Sequence, residues 1–522
     1  MRVAVVGGGP GGLFLAALLR KADPSIDVTV FERNRADDTF GFGVVFSDRT
    51  LAAIDDADPV LRDGLREHGV HWDDIEVRLK GDVLRCGGNG MAAISRKILL
   101  GLLQDRAREF GASLHFSTRV TLAELDGYDL VVAADGTGSA LREEIGLEST
   151  VDTATAKFIW FGTDYLFSGL TFVHERGPHG VFAVHGYPIS DSVSTFIVET
   201  DERAWRAAGL DAFDVTQPPG PSDLRSQTYL EELFTDQIDG HKLLTNNSRW
   251  GNFRTRRSPR WTVTDPRPVA FLGDAVHTAH FSVGSGTKMA MEDAVALSAA
   301  LVSSPDLPSA LAAYEAAARP SVEKIQGSAR PSLAWWEHFG RYHDFFEPWQ
   351  FAYHFLSRSI TDARLARRAP HFVGSSHERW VATHGAEPLE TPIEIGGRTV
   401  PGRLVEVTST GGSTSAGEAV WFEAPADESG LPPVLERLAA LSADRLVAVH
   451  GGSSFTRTLV AEEARMVHGL PVLLVDPSAD LDRATTAVLS GRADLVSAPP
   501  APVRGNQAQD TDIRARVSGP GS

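Results

Sequence analysis

Gly7, Gly9 and Gly12 fit the spacing GxGxxG, and each glycine has its own physical task. Gly7 permits a tight turn, Gly9 lets backbone approach a pyrophosphate, and Gly12 lets a helix close on a strand so that its N-terminus meets negative charge. An apolar run, Val3 to Val6, enters this turn, and an apolar helix-like segment, Leu13 to Leu19, leaves it. A second β-like run, Val28 to Phe31, ends at Glu32, twenty residues beyond Gly12, where a carboxylate can accept hydrogen bonds from an adenosine ribose. Strand, turn, helix, strand and acid together predict a dinucleotide site. A glycine turn with no ligand leaves Glu32 unexplained.

Further along, residue types suited to holding a polar ligand recur at the edges of predicted elements. Ser95 is a candidate N-cap that puts Arg96 in the first turn of a helix running to Arg108, where a cation opposes the helix dipole and calls for an anionic partner. A β-like segment, Asp129 to Ala134, closes in Asp135-Gly136, with Arg142 after it; another, Val269 to Leu272, runs into Gly273-Asp274 and His277. Gly284-Ser285-Gly286 then opens a helix-like segment, Met289 to Leu301, whose N-terminus suits another polar part of the same ligand. Between Thr39 and Asp48, two glycines lie among aromatics, as either a loop against a flat ring or a hydrophobic hairpin.

The rest of the chain has to position these groups. Its 522 residues, 42% hydrophobic and 23% charged, suffice for two or three globular domains. A net charge of -18 argues against general binding to nucleic acid or acidic membrane. With Cys86 the single cysteine, no internal disulfide can form. The N-terminus enters the first strand directly, and no apolar run approaches the roughly 20 residues of a bilayer span, so a cytoplasmic protein is expected. From about 155 to 265 the alternation of apolar and polar residues predicts a separate, inserted sheet suited to walling a substrate pocket. Leu307 to Arg368 is helix-rich and aromatic. Strand candidates at Arg403 to Val407, Arg445 to Val449, Pro471 to Val475 and Ala493 to Val496 alternate with helix-like segments at Leu431, Phe455 and Leu481, a small α/β unit.

Taken in order, Gly7-x-Gly9-x-x-Gly12 with Glu32, Asp135-Gly136, and Gly273-Asp274 with His277 resemble the single-component FAD-dependent aromatic hydroxylases. Phe40 to Asp48, Lys157 to Thr163 and Gly273 to Lys288 are similar to the subgroup acting on aryl-CoA thioesters of the salicylyl-CoA and 2-aminobenzoyl-CoA type. The resemblance implies bound FAD, with NADH or NADPH and O2 as co-substrates, and hydroxylation of an electron-rich ring through a flavin hydroperoxide. It implies FAD contacts at Gly7, Gly9, Gly12, Glu32, Arg96, Asp135, Gly136, Gly273, Asp274, Gly284 and Gly286, to which Arg33 and Phe46 are added as candidates; no metal is implied. Where the family often has two prolines, this chain has Ala279-His280-Phe281, so His280 either faces flavin or substrate or caps the turn. His280 and His277 are the candidates for positioning or proton relay. Two arginine clusters, Arg254, Arg256, Arg257, Arg260 and Arg358, Arg364, Arg367, Arg368, are candidates for CoA phosphates or for charged surface.

The expected architecture is α/β: a Rossmann-like FAD-binding domain over 1–370 with the inserted substrate sheet, the helical segment, a small α/β domain over 371–500, and a disordered tail over 501–522. Thr391-Pro392-Ile393 and Gly491 to Val496 resemble the opening and late segments of an old-yellow-enzyme-like barrel, yet they are only about a hundred residues apart where a full barrel needs roughly 250. A shortened remnant without a second flavin is expected, bracing the first domain or supporting a homodimer. Rival readings are hydroxylation of a carrier-bound or free aromatic acid, a flavin reductase or halogenase of the same fold, and a non-catalytic FAD-binding partner.

Overall fold

The computed structural model describes residues 1–39, 41–47, 51–216, 220–407, 411–442, 445–478 and 480–497. Phe40, Asp48 and the tail over 501–522 lie outside them. The chain divides into two compact units, Met1–Arg379 and Trp380–Ser522. The division falls inside the helix Pro370–His384, some ten residues beyond the expected boundary at 370, because regular helix continues past the point where the apolar pattern weakens.

In the first unit a six-stranded sheet runs in the order Thr262–Val263, Val269–Phe271, Leu130–Ala133, Arg2–Val6, Asp27–Phe31, Ser113–His115. All its pairs are parallel except the outermost, Thr262–Val263 with Val269–Phe271. Its central strands are apolar on both faces, as parallel strands covered by helices must be. The helix Pro10–Ala22 buries nine consecutive residues, Gly11 to Leu19, against this sheet and its neighbours.

A second, eight-stranded sheet stands apart from the first. Its order is Leu243–Leu244, Thr150–Thr163, Ser194–Thr200, Gly180–Pro188, Leu170–Gly177, Ile75–Leu79, Asp82–Cys86, with Gly251–Arg257 paired along Thr150–Thr163. The expected insertion over 155–265 is therefore corrected at both ends: the sheet takes two strands from before residue 90, and Thr262–Val263 belongs to the dinucleotide sheet. Leu170–Gly177 pairs with Ile75–Leu79 in parallel. A parallel partner reached through a long crossover leaves no local pattern to read.

Gly43–Ser47 forms a three-stranded sheet with Met91–Ser95 and Val70–Trp72. This decides the stretch after Thr39: Gly41 turns with φ +71° and the following residues pair with a strand fifty residues on, not with each other. Met91–Ser95 in turn feeds directly into the helix Arg96–Glu109. A 39-residue helix, Leu307–Phe345, with Pro320 and Pro331 inside it, lies across the second sheet and buries Trp335, Trp336, Phe339 and Tyr342 there.

The second unit is a five-stranded sheet, Leu404–Val405, Leu495–Ser497, Val472–Leu474, Leu446–His450, Ala419–Glu423, parallel throughout. Leu431–Ala439, Ser454–Met466 and Leu481–Leu489 are its connecting helices. Among the described residues the two outer strands are not joined, so the sheet stays open where an eight-stranded barrel closes. Ala419–Glu423 and the hairpin Ile393–Ile395 with Arg398–Val400 were not expected from the sequence. No helix among the described residues is long and apolar enough to cross a membrane.

Candidate active site

The glycine turn has no room for side chains. Gly7 has φ +118°, and a Cβ there would stand 2.2 Å from the Ala134 carbonyl oxygen; one on Gly12 would stand 2.2 Å from the Gly7 carbonyl oxygen. Gly9, by contrast, has nothing within 4 Å of a Cβ and is the N-cap of the first helix without any side-chain cap or first-turn acid. Its orphan N–H groups and positive dipole end are thus left for an anion. Glu32 accepts from Gly8 N at 2.7 Å and from Asn34 N at 2.8 Å, which fixes its carboxylate over the turn, with Arg33 exposed beside it. Phe46 is corrected: its side chain lies in the apolar core and offers no surface to a ligand.

A second helix N-terminus meets the first. Cβ atoms on Gly11 and Gly273 would come within 2.8 Å of the Ala290 carbonyl oxygen and 2.9 Å of Ala290 Cβ, so the absence of side chains lets the helix Gly286–Ser303 approach. That helix also begins without a side-chain cap, and Ser285 Oγ at its N-cap is buried with no partner among the described residues. Asp293 accepts from Gly273 N at 2.8 Å and lies 2.7 Å from His277 Nε2, both buried. His277 thus ties the 273–277 turn to the helix, and its Nδ1 is buried with no hydrogen-bond partner among the described residues. Asp274 is left exposed on the outside of that turn.

Arg96 stands where the two halves meet. Ser95 occupies the N-cap position but makes no side-chain cap. The guanidinium is deprived of solvent, which lowers its pKa, while the Tyr187 phenol and the Asp274 carboxylate act in the opposite direction. Its Nε is buried without a hydrogen-bond partner among the described residues. Asp274 thus acts on Arg96 without forming an ion pair with it among the described residues, and the Nε donor is left open. Asp135 accepts from Ala140 N at 2.8 Å through Oδ2, while Oδ1 is buried and unpartnered. Arg142, buried, ties this turn to the next by donating to the Thr137 and Ala275 carbonyls at 3.0 and 2.9 Å.

Beyond these turns stands an aromatic wall. Phe281 has Phe158, Trp160 and Phe253 within 5.2, 5.8 and 6.0 Å of its ring centre. Trp160 lies against Gly41, and Phe42 against Gly162, so both the Gly41 turn and the strand Thr150–Thr163 rely on a glycine beside the wall. His280, 2% exposed, begins the Phe281–Val283 turn; its Nδ1 accepts from Ser282 N at 3.4 Å and lies 2.8 Å from Ser282 Oγ. Nε2 stands 3.7 Å from Glu199 Oε2, and Glu199 Oε1 stands 2.7 Å from His185 Nε2, at an angle short of a hydrogen bond. Burial pushes Glu199 up to about 7 and pulls His280 down to about 4 and His185 to about 3. Near neutrality both imidazoles are uncharged, so these contacts are not ion pairs.

A family model described as an FAD binding domain matches residues 1–130 and 128–328. A salicyloyl-CoA 5-hydroxylase from Streptomyces sp is 55% identical over 519 residues, 95% of this chain and 99% of that protein. The chain belongs to the FAD-dependent aromatic hydroxylases. A 3-hydroxy-4-methyl-anthranilyl-[aryl-carrier protein] 5-monooxygenase from Streptosporangium sibiricum is 34% identical over 64% of this chain and 89% of its own length. In fold, a tetrameric form of 2-methyl-3-hydroxypyridine-5-carboxylic acid oxygenase matches with a TM-score of 0.52 at 19% identity, covering 66% of this chain and 96% of that one. The enzyme is thus an FAD-dependent monooxygenase using NAD(P)H and O2.

The geometry fits that cofactor on its own terms: a turn with no space for a Cβ, two uncapped helix N-termini, and buried unpartnered atoms on Arg96, Asp135 and Ser285. Of the sequence candidates, Gly7, Gly9 and Gly12 lie in the first turn with Glu32 hydrogen-bonded to it, Gly273 and Asp274 lie in the 273–277 turn, and Gly284 and Gly286 lie at the start of the helix on which both Gly11 and Gly273 pack. Asp135 and Gly136 lie in a turn tied to the 273–277 turn through Arg142. Sequence reasoning missed Glu199, His185 and Asp293. No local signal marks Glu199: its strand, Ser194–Thr200, also carries Ser194, Thr195 and Thr200, and every one of its residues is buried.

Proposed function

We propose that this enzyme hydroxylates an aromatic ring of the salicyloyl type carried as its CoA thioester. The observation that supports it most is the 55% identity extending over 99% of the salicyloyl-CoA relative, so that the second unit is shared as well as the flavin-binding part. The match to the carrier-protein relative spans only 64% of this chain, which ranks a carrier-bound substrate second.

When bound, FAD accepts hydride from NAD(P)H and delivers one oxygen atom of O2 to the ring. We assign its adenosine end to Gly7 through Glu32, and its ring end to Arg96, Asp274 and the helix starting at Gly286, where N–H groups favour developing negative charge. Phe281, Trp160 and Phe158 hold the substrate ring by stacking and keep water from the site. An ortho hydroxyl supplies the electron push, so no side chain has to act as nucleophile. For the CoA phosphates, Arg256 and Arg257 are engaged by Ser149 and Asp152, and Arg358 by Ser332; Arg254, Arg260, Arg364 and Arg367 are exposed and carry no ion pair among the described residues.

The test is oxygen uptake by the purified yellow protein with NAD(P)H and salicyloyl-CoA, salicylate or a salicyloyl carrier protein. Uptake with the CoA thioester and a product heavier by one oxygen is expected. An equal response to free salicylate would sink the thioester assignment.

A further inference from the structure

The polar chain behind the Phe281–Val283 turn lies outside the groups assigned above to the cofactor. Glu199, His185, His280 and Ser332 are shut from solvent, while Ser282 on the turn and Arg358 at the far end are half-buried. Arg358 Nε donates to Ser332 Oγ at 2.9 Å, Ser332 Oγ lies 2.8 Å from Ser282 Oγ, and Ser282 Oγ lies 2.8 Å from His280 Nδ1. Since the Ser282 backbone N–H also points at Nδ1, that nitrogen is an acceptor and the ring hydrogen sits on Nε2, directed at Glu199. The 3.7 Å from Nε2 to Glu199 Oε2 exceeds a hydrogen bond by less than about 1 Å. Titratable groups face it from every side: the uncharged His185 on Gly180–Pro188, Arg330 and Glu337 on the long helix, and Arg358 after it act on His280 or Glu199, and His174 on Leu170–Gly177 faces His185.

Ring hydroxylation moves protons through a site that excludes water. One O–O bond breaks, one C–O bond forms at the ring, and the ring C–H bond breaks with its hydrogen leaving as a proton. NAD(P)H loses two electrons, the second oxygen is reduced to water, and one proton is drawn from solution.

We infer that Glu199 is a positioning residue acting through His280 and Ser282: it fixes the imidazole behind the turn and holds the proton that ring hydroxylation releases until it is returned to the water-forming oxygen. The inference rests on the hydroxylation of an aromatic ring proposed above. Burial puts Glu199 at about 7, so it exchanges a proton at the pH where the enzyme works. A carboxyl at its ordinary acidity would stay ionised there.

The experiment compares wild type with Glu199→Gln, Glu199→Asp and Ser282→Ala, each reconstituted with FAD. In wild type, the fraction of NAD(P)H oxidation that ends in hydroxylated product and not in hydrogen peroxide should follow a titration with a midpoint near pH 7. Glu199→Gln should lose that pH dependence, and Glu199→Asp should keep it with a shifted midpoint; an unchanged profile in Glu199→Gln overturns the inference. Should Glu199→Gln fail to retain flavin, Ser282→Ala, which leaves the carboxyl in place, should flatten the profile, and a wild-type profile there overturns it equally. Infrared difference spectra need no substrate: a protonated-carboxyl band should titrate near pH 7 in wild type and be absent from Glu199→Gln. If no aromatic thioester or acid is hydroxylated, the proposed function fails while that band still reads the carboxyl; a band titrating only in the ordinary carboxyl range overturns the proton-holding role itself.

Discussion

Two parallel sheets in this molecule send a strand into a pair of glycines and then into a helix, and the two turns end in opposite states. Arg2–Val6 runs into Gly7 and Gly8 ahead of the helix Pro10–Ala22; Leu446–His450 runs into Gly451 and Gly452 ahead of Ser454–Met466. Both turns are sterically tight, since a Cβ on Gly452 would stand 2.3 Å from the Pro425 carbonyl oxygen. The first helix start has no side-chain cap. The second is closed by a reciprocal pair, Ser453 Oγ accepting from Thr456 N at 3.1 Å and Thr456 Oγ1 from Ser453 N at 3.1 Å. Arg457 then donates to the Gly451 and Gly452 carbonyls at 2.7 and 3.2 Å and pairs with Asp476 at 3.1 Å. A glycine turn therefore becomes a phosphate site only where the helix leaves its own donors unsatisfied and the protein supplies no internal partner. This separates a flavin cradle from a turn that merely shares its glycines.

The sharpest way to break the contrast is to add one methyl group to each turn. Gly7→Ala places a Cβ against the Ala134 carbonyl and demands φ +118°, so purified protein should carry less than a tenth of the wild-type flavin. Gly452→Ala should lower the melting temperature of the second unit yet leave flavin content at the wild-type level. Flavin absorbance per protein decides both, and equal loss in the two variants would refute the distinction.

Next in size is the pH dependence of stability from the buried chain. Glu199 is raised from 4.5 to about 7, so its stabilising contribution is full below 4.5 and lost as pH rises through 7, about 3 kcal/mol at most. His280, lowered from 6.5 to about 4, acts the other way: its contribution is present above 6.5 and lost as pH falls through 4. The difference in melting temperature between Glu199→Gln and wild type should therefore grow in favour of the variant between pH 5 and 7.5, as read by thermal denaturation in paired buffers. A constant difference would show that Glu199 ionises at its ordinary acidity.

Arg96 tests the open turn from the ligand's side. A charged donor with its Nε unpartnered contributes about 1.5 to 3 kcal/mol when it meets an acceptor, so Arg96→Met should weaken FAD binding by roughly ten- to a hundredfold. Arg457→Met, whose partners are all internal, should leave the FAD dissociation constant unchanged. Fluorescence titration of deflavinated protein measures both.

What the chain reveals in advance follows the same division between local and distant causes. The glycine turns, Asp135-Gly136, Gly273-Asp274 and the alternating strands and helices after Arg403 are written in neighbouring residues, and the structure places them as elements close to the expected ones. Glu199 was illegible because its burial is imposed from afar, by Ala183 and Phe158 on flanking strands and by a helix more than a hundred residues later. The same holds for Ile75–Leu79 and Asp82–Cys86, which alternate as any half-buried strands do and give no sign of which sheet they join. The partner of His277 was hidden too: its motif is local, but Asp293 sits sixteen residues on, in the next helix.

The smallest effect comes from exchanging the caps. Ser453→Ala removes one side of the reciprocal pair and should cost the second unit about 1 kcal/mol, with no change in flavin affinity. Gly9→Ser does the reverse: the position has extended backbone, φ -77° and ψ 177°, and no atom within 4 Å of a Cβ, so a hydroxyl fits and can cap the first helix. Replacing glycine by serine at an N-cap gains only a few tenths of a kcal/mol, so deflavinated Gly9→Ser should melt slightly higher than wild type. The same hydroxyl competes with phosphate for the N–H groups it satisfies, so FAD should bind more weakly. Should stability and affinity rise together in Gly9→Ser, the open helix start would not be what receives the cofactor.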